Sequence, residues 1–129
     1  MYRYRYAFCE VFARKLLPAI KLYIASKLVR EHGFTQLEAS KLLGVKQPLI
    51  NYVLSGRRKP KYMDLIVSIP SIKKGIDGIV EEIAVKRSTM FNGGNIACTI
   101  CSLIRSSGRL MDILDYLGYR SDEVQIPPY

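Results

Sequence analysis

Apolar residues recur along this chain at helical spacing, and the breaks between the runs fall on glycines and prolines. Phe8, Val11, Phe12 and Leu16 open the series, and Pro18 interrupts it. A proline removes one backbone donor and clashes with the preceding turn. The pattern therefore predicts a short helix, a break near Leu17 and a longer helix from Pro18 to about His32. Leu17, Ile20, Ile24 and Leu28 form its buried stripe, Lys21, Lys27 and Arg30 face water or phosphate, and Gly33 ends it. Further on, Tyr62 to Ile69 is apolar enough for another helix, Pro70 breaks the chain, and Ser71 is placed to cap the next helix. Ile72, Ile76, Ile79, Val80 and Ile83 then mark a long amphipathic helix with Gly75 and Gly78 inside it. Each glycine costs about 1 kcal/mol relative to alanine, so close packing against another helix is expected there, and a dimer contact is predicted. Residues 91–95 read as a turn. A last pair of helices is expected over Ile96 to Ser106 and Leu110 to Leu117, with an extended end from Gln125 to Tyr129. The whole reads as all-α.

The stretch from Thr35 to Gly56 carries the densest set of local signals. Thr35 with Glu38 three residues later makes a capping box that starts a helix at Gln36. Leu37, Leu42 and Leu43 carry that helix, with small Ala39 and Ser40 between, to Gly44, which takes a positive φ at no steric cost. Lys46-Gln47-Pro48 starts a second helix, since proline is tolerated in a first turn. Leu49, Ile50, Val53 and Leu54 mark its buried stripe. Two short helices joined by a three-residue turn containing glycine form the helix-turn-helix unit, whose second helix can enter the DNA major groove. Val45, Ile50 and Val53 are expected to plug the angle between them. Lys46, Gln47, Asn51 and Tyr52 are then left pointing outward. Gln and Asn pair bidentately with adenine, and Lys meets guanine or a phosphate.

Charge changes the picture because of where it lies. The chain has a formal net charge of +9, and residues 1–62 hold 13 Lys and Arg against 3 Asp and Glu, whereas residues 63–129 hold 7 against 8. A basic half joined to a near-neutral half fits one part that meets a polyanion and another that meets protein. Directly behind the second short helix, Arg57, Arg58, Lys59 and Lys61 form the densest positive cluster, in a loop marked by Gly56 and Pro60. It reads either as a phosphate grip or as a solvated loop. Residues 1–6 alternate Tyr and Arg, a pattern compatible with a strand, a phosphate-contacting arm or a solvated tail. No apolar run reaches the roughly 18 to 20 residues needed to span a bilayer, and Met1 to Tyr6 lacks the apolar segment of a signal peptide. A cytoplasmic protein without a membrane partner is expected.

Residues 35–60 resemble the helix-turn-helix of the lambda-repressor and Cro superfamily, also called XRE-type. Gln36 and Gln47 match the pair of glutamines that open the two helices in its repressors. The resemblance implies that Gln36 supports a phosphate contact and that Gln47 reads a base. A wider stretch, from Phe8-Cys9-Glu10-Val11 through Leu17-Pro18-Ala19-Ile20-Lys21 to Gly56-Arg57-Arg58, is similar to a group of archaeal XRE-type regulators. It covers roughly the first half of the chain, and a Cys-x-x-Cys in the second half of that group resembles the one found here.

Cys98 and Cys101 stand three residues apart on a predicted helix, and Cys9 is the only other thiol. A closed zinc site wants four N or S ligands, so zinc or an iron–sulfur cluster held by Cys9, Cys98 and Cys101 would need a further ligand. Core packing, a metal or cluster sensor, and a thiol redox pair all remain open readings. His32, the only histidine, sits at a helix C-terminus and reads as a capping or surface residue. With no phosphate-binding glycine loop and no paired carboxylates in an apolar setting, no catalytic constellation assembles, and an enzyme is not expected.

These observations divide the chain into residues 1–69, a five-helix DNA-binding unit, and residues 70–129, a helical dimerisation and possible sensing segment. The expected function is sequence-specific binding of double-stranded DNA as a homodimeric transcriptional regulator. Lys46, Gln47, Pro48, Asn51 and Tyr52 are assigned to bases, and Gln36, Arg57, Arg58, Lys59 and Lys61 to phosphates. The competing class is a protein-interaction module, such as a transcription bridging factor or an antitoxin-like partner, with only nonspecific DNA affinity.

Overall fold

The computed structural model describes residues 6–57, 62–87, 90–91, 94–120 and 124–125. The chain is predominantly helical, as the periodicity predicts. It opens with a two-residue strand β1 (Tyr6–Ala7) and helix α1 (Phe8–Val11). No break comes after it. A π-helical turn, Phe12–Leu16, leads straight into α2 (Leu17–His32), with Pro18 in its first turn. The expected interruption at Pro18 is thus absorbed by a wider turn, in which the Leu17 N–H donates to the Phe12 carbonyl five residues back. The wider turn relieves the clash that proline makes with the carbonyl four residues before it. The chain keeps its direction, and Phe8, Phe12, Leu16, Ile20, Ile24 and Leu28 all stay buried.

Helix α2 ends at Gly33, whose φ of +72° suits glycine. Two eight-residue helices come next, α3 (Gln36–Leu43) and α4 (Gln47–Leu54), both packed against α2. Helix α5 (Met63–Val67) is one short turn of buried Met63 and Ile66. Helix α6 (Pro70–Lys86) then begins at Pro70 itself, with Ile69 as N-cap and no side-chain cap, so Ser71 lies inside the helix. Pro70 needs no donor in the first turn, which makes the cap unnecessary for that residue. A hairpin of β2 (Met90–Phe91) with β3 (Gly94–Asn95) occupies most of the expected turn, and its Asn92 and Gly93 lie outside the described residues. Helices α7 (Ile96–Arg105) and α8 (Leu110–Tyr116) complete the helical series. Last comes β4 (Val124–Gln125), which pairs in parallel with β1 and ties the two ends of the described chain together.

The predicted stripe of α6 is buried throughout: Ile72, Ile76, Ile79, Val80 and Ile83. Each such side chain contributes about 1.5–3 kcal/mol on burial. Exposed ion pairs contribute about 0–1 kcal/mol, so packing holds α6 on the bundle and the charges add to it. Asp77 is the main such charge. It accepts from Lys27 of α2 and Lys73, each at 2.9 Å, and from the Tyr23 hydroxyl at 3.3 Å. Lys27 therefore faces α6, and not the open water or phosphate that its spacing predicts. Burial works against the Asp77 charge, but the Lys73 and Lys27 hydrogen bonds outweigh it and hold the carboxyl below the usual carboxylate range. His32 meets Glu81 at 3.5 Å, which ties the end of α2 to the same helix.

The two glycines of α6 differ. A Cβ on Gly75 would lie 2.5 Å from Leu103 of α7, whereas a Cβ on Gly78 would meet nothing within 4 Å. The close packing predicted at both glycines is thus made within the chain at Gly75 alone, which needs no second copy to explain it, whereas Gly78 is exposed and packs against no neighbour.

Candidate nucleic-acid interface

Helices α3 and α4 owe their geometry to local signals that act one after another. The Glu38 N–H donates to Thr35 Oγ1 at 3.0 Å, and the Thr35 N–H donates to Glu38 Oε1 at 3.2 Å, which closes the capping box. At the far end Gly44 takes a φ of +69°. Ser40 has a role beyond being small: its hydroxyl donates to the Val45 carbonyl at 2.6 Å and stitches the turn. A serine four residues before a helix-ending glycine is the signal that points to this bond. Ala39 is fully buried and lets the helices approach, while Leu43 and Ile50 fill the space between them and α2. Two members of the predicted stripes do not join this core. Leu37 is 50% exposed, and Val53 lines a cavity between α2 and α5.

With those faces buried, Lys46, Gln47, Pro48, Asn51 and Tyr52 are exposed along α4. Four of them, Gln47, Pro48, Asn51 and Tyr52, surround one shallow depression together with Gln36 from the first turn of α3. Lys46 is the N-cap of α4 and stands beside this group without lining the depression. Arg57 is exposed just past the left-handed Gly56, and its N–H donates to the Tyr52 carbonyl at 2.9 Å. Arg58, Lys59 and Lys61 lie outside the described residues. The depression is lined by the carboxamides of Gln36, Gln47 and Asn51, a phenol and a proline ring, with no carboxylate among its lining residues.

A contact that local sequence reasoning missed fixes the start of α3. Arg87, just past α6, reaches back to Glu38 at 2.8 Å, and its guanidinium lies 4.3 Å from the centre of the Phe34 ring. Hydrogen bonds from the Thr35 backbone and hydroxyl, reinforced by Arg87, hold the Glu38 carboxyl below its ordinary range. Arg87 and Glu38 are 49 positions apart, and nothing in the pattern around either residue announces the other. On α4's other side, Arg30 of α2 donates to the Val53 carbonyl at 3.4 Å.

The cysteines are distributed differently from a simple pair on one helix face. Cys98 is exposed and Cys101 is buried on α7, while Cys9 on α1 is exposed. Burial pushes the Cys101 thiol up, the neighbouring Cys9 thiol adds to this, and Arg105 opposes it. Cys101 therefore meets Cys9 as well as sharing a helix with Cys98. Among the described residues no group of three or more His, Cys, Asp or Glu side chains is placed to hold a metal ion. Among them, too, no helix is long and apolar enough to cross a membrane.

No protein-family model, no curated protein and no solved structure matches this chain.

Proposed function

We propose that the protein binds double-stranded DNA sequence-specifically as a dimeric transcriptional regulator, using α3 and α4 as an XRE-type helix-turn-helix. The observation that carries this reading is the shared depression of Gln36, Gln47, Pro48, Asn51 and Tyr52 on the half of the chain that holds 13 cations against 3 anions. In this reading α4 enters the major groove. The carboxamides of Gln47 and Asn51 each offer a donor and an acceptor to an adenine edge, and Lys46 donates to guanine or a phosphate. Pro48 and the Tyr52 ring supply apolar contact, to which a thymine methyl is complementary. Gln36 and Arg57 hold phosphates on either side, giving affinity and register without sequence information. Arg58, Lys59 and Lys61, outside the described residues, are assigned the same phosphate role from the sequence.

A two-fold dimer would present two α4 helices to successive major grooves about 34 Å apart on a palindromic site. The near-neutral second half carries exposed Val85, Met111 and Tyr116, and these suit a protein partner better than DNA. Zinc or an iron–sulfur cluster at Cys9, Cys98 and Cys101 is a separate proposal: these thiols are not grouped to hold a metal ion in this arrangement, and three of them fall one ligand short of a closed tetrahedral site.

The test separates base contacts from phosphate contacts. Gln47→Ala should lose about 1–3 kcal/mol on the preferred site at one base position and little on random DNA. Arg57→Ala should weaken both alike and reduce the slope of affinity against salt by about one. Equal losses on specific and random DNA for both variants would sink the division of labour. Weak binding without any preference in the wild-type protein would favour a protein-interaction module.

A further inference from the structure

Between α2, the end of α4 and α5 lies a cavity of about 360 Å³, within the size range of small-molecule sites. Val53, Met63, Val67 and the Tyr23 ring give it an apolar wall. Two groups of opposite charge also line it, Arg30 from α2 and Asp64 from α5. Both are exposed, and among the described residues neither forms an ion pair. Arg30 has only the long bond to the Val53 carbonyl, at 3.4 Å. Lys27 also borders the cavity, but Asp77 at 2.9 Å and Glu31 at 3.7 Å already hold its ammonium group. The cavity thus joins an apolar wall to one uncommitted cation and one uncommitted anion.

We propose that this cavity binds an apolar α-amino acid. The ligand's carboxylate accepts from the Arg30 guanidinium, a geometry that arginine suits through paired N–H donors. Its ammonium donates to the Asp64 carboxylate, and its side chain lies against Val53, Met63 and Val67. The charges select the class. A plain carboxylic acid would leave Asp64 facing a like charge, and a plain amine would face Arg30 and Lys27. A polar side chain would lose water against the apolar wall without gaining a partner. The ligand would touch α2, the last turn of α4 and α5 together, so binding stabilises their arrangement by mass action. This inference stands apart from the DNA reading, because occupancy is measured without DNA.

The experiment titrates L-leucine, L-methionine and L-phenylalanine separately into the full chain and monitors the unfolding midpoint by scanning calorimetry. The expected result is a saturable rise in the midpoint with at least one of the three. At the same concentrations 4-methylpentanoate, which lacks the ammonium, and 3-methylbutylamine, which lacks the carboxylate, should leave it unchanged. Arg30→Gln and Asp64→Asn, both at exposed positions, should keep the unliganded midpoint and lose the response. The proposal is overturned if none of the three amino acids moves the midpoint, if either single-charge analogue matches them, or if both variants respond as the parent does.

Discussion

Gly75 and Gly78 stand almost one turn apart in α6, and replacing each by alanine should have opposite consequences. Both substitutions gain helix propensity, about 0.8–1 kcal/mol. At Gly78, where an added Cβ meets nothing within 4 Å, that gain is the whole effect. At Gly75 the new methyl would lie 2.5 and 2.7 Å from the two terminal carbons of Leu103, well inside van der Waals contact. Leu103 is half-buried, and swinging its flexible end aside gives up part of its packing between α6 and α7. Overpacking of this kind costs about 1–3 kcal/mol, which cancels or exceeds the propensity gain. Gly78→Ala should therefore stabilise the protein by about 1 kcal/mol, and Gly75→Ala should range from neutral to about 2 kcal/mol destabilising. Urea unfolding monitored by far-ultraviolet circular dichroism, at two protein concentrations, measures both. Adding Leu103→Ala to Gly75→Ala should recover part of the loss, with a coupling that separate sites would not show. Equal stabilisation by the two alanines would refute the packing of α6 on α7. A gap that grows with protein concentration would move the Gly75 contact to a second copy of the chain.

The same structure fixes three further outcomes. Thr35→Ala should cost about 1 kcal/mol, the usual worth of an N-cap, measured by the same urea unfolding. The capping box and the Asp77 ion pairs also predict a pH dependence, since Glu38 and Asp77 both have folded-state pKa values held below their ordinary ones. Their contribution is present above the ordinary carboxylate range and is lost as pH falls through the folded values. Stability should thus decline from about pH 5 downward, less steeply in Glu38→Gln and in Asp77→Asn than in the parent, and an unchanged acid limb in both variants would count against these pairs. For the cysteines, iodoacetamide at neutral pH should label exposed Cys9 and Cys98 well before buried Cys101. Peptide mass mapping over time reads the order, and first labelling at Cys101 would contradict the burial.

The features legible in the sequence are those that neighbours within a few residues decide. The Thr35–Glu38 capping box, the left-handed Gly33 and Gly44, Pro48 in a first turn and the isoleucine stripe of α6 are all set locally, and each takes the expected form. Sequence reasoning failed where two distant segments settle the matter. Nothing near Arg87 marks Glu38 as its partner, nothing near Lys27 marks Asp77, and a two-residue strand at Tyr6 gives no sign of Val124. Pro18 announced a disturbance without saying which one. A break and a π turn both accommodate it, and burial of Phe8, Phe12 and Leu16 on one continuous helical run favours the turn. Leu37 stands two, five and six residues from Ala39, Leu42 and Leu43, a spacing that puts it off their side of a helix of 3.6 residues per turn, and it is exposed; Val53 fits its stripe by spacing, yet it lines the cavity beside α5. At the candidate interface, the exposed polar face of α4 results from the burial of its opposite face, whereas the inclusion of Gln36 in the same depression depends on the angle between α3 and α4.

The central claim is that α4 reads bases, and selection of bound sequences from a random duplex library tests it most directly. Protein purified anaerobically should enrich a palindrome whose half-sites sit one helical turn apart, about 34 Å, as two α4 helices require. No enrichment, together with binding that vanishes as salt rises, would reduce the basic half to a nonspecific phosphate grip and contradict the account.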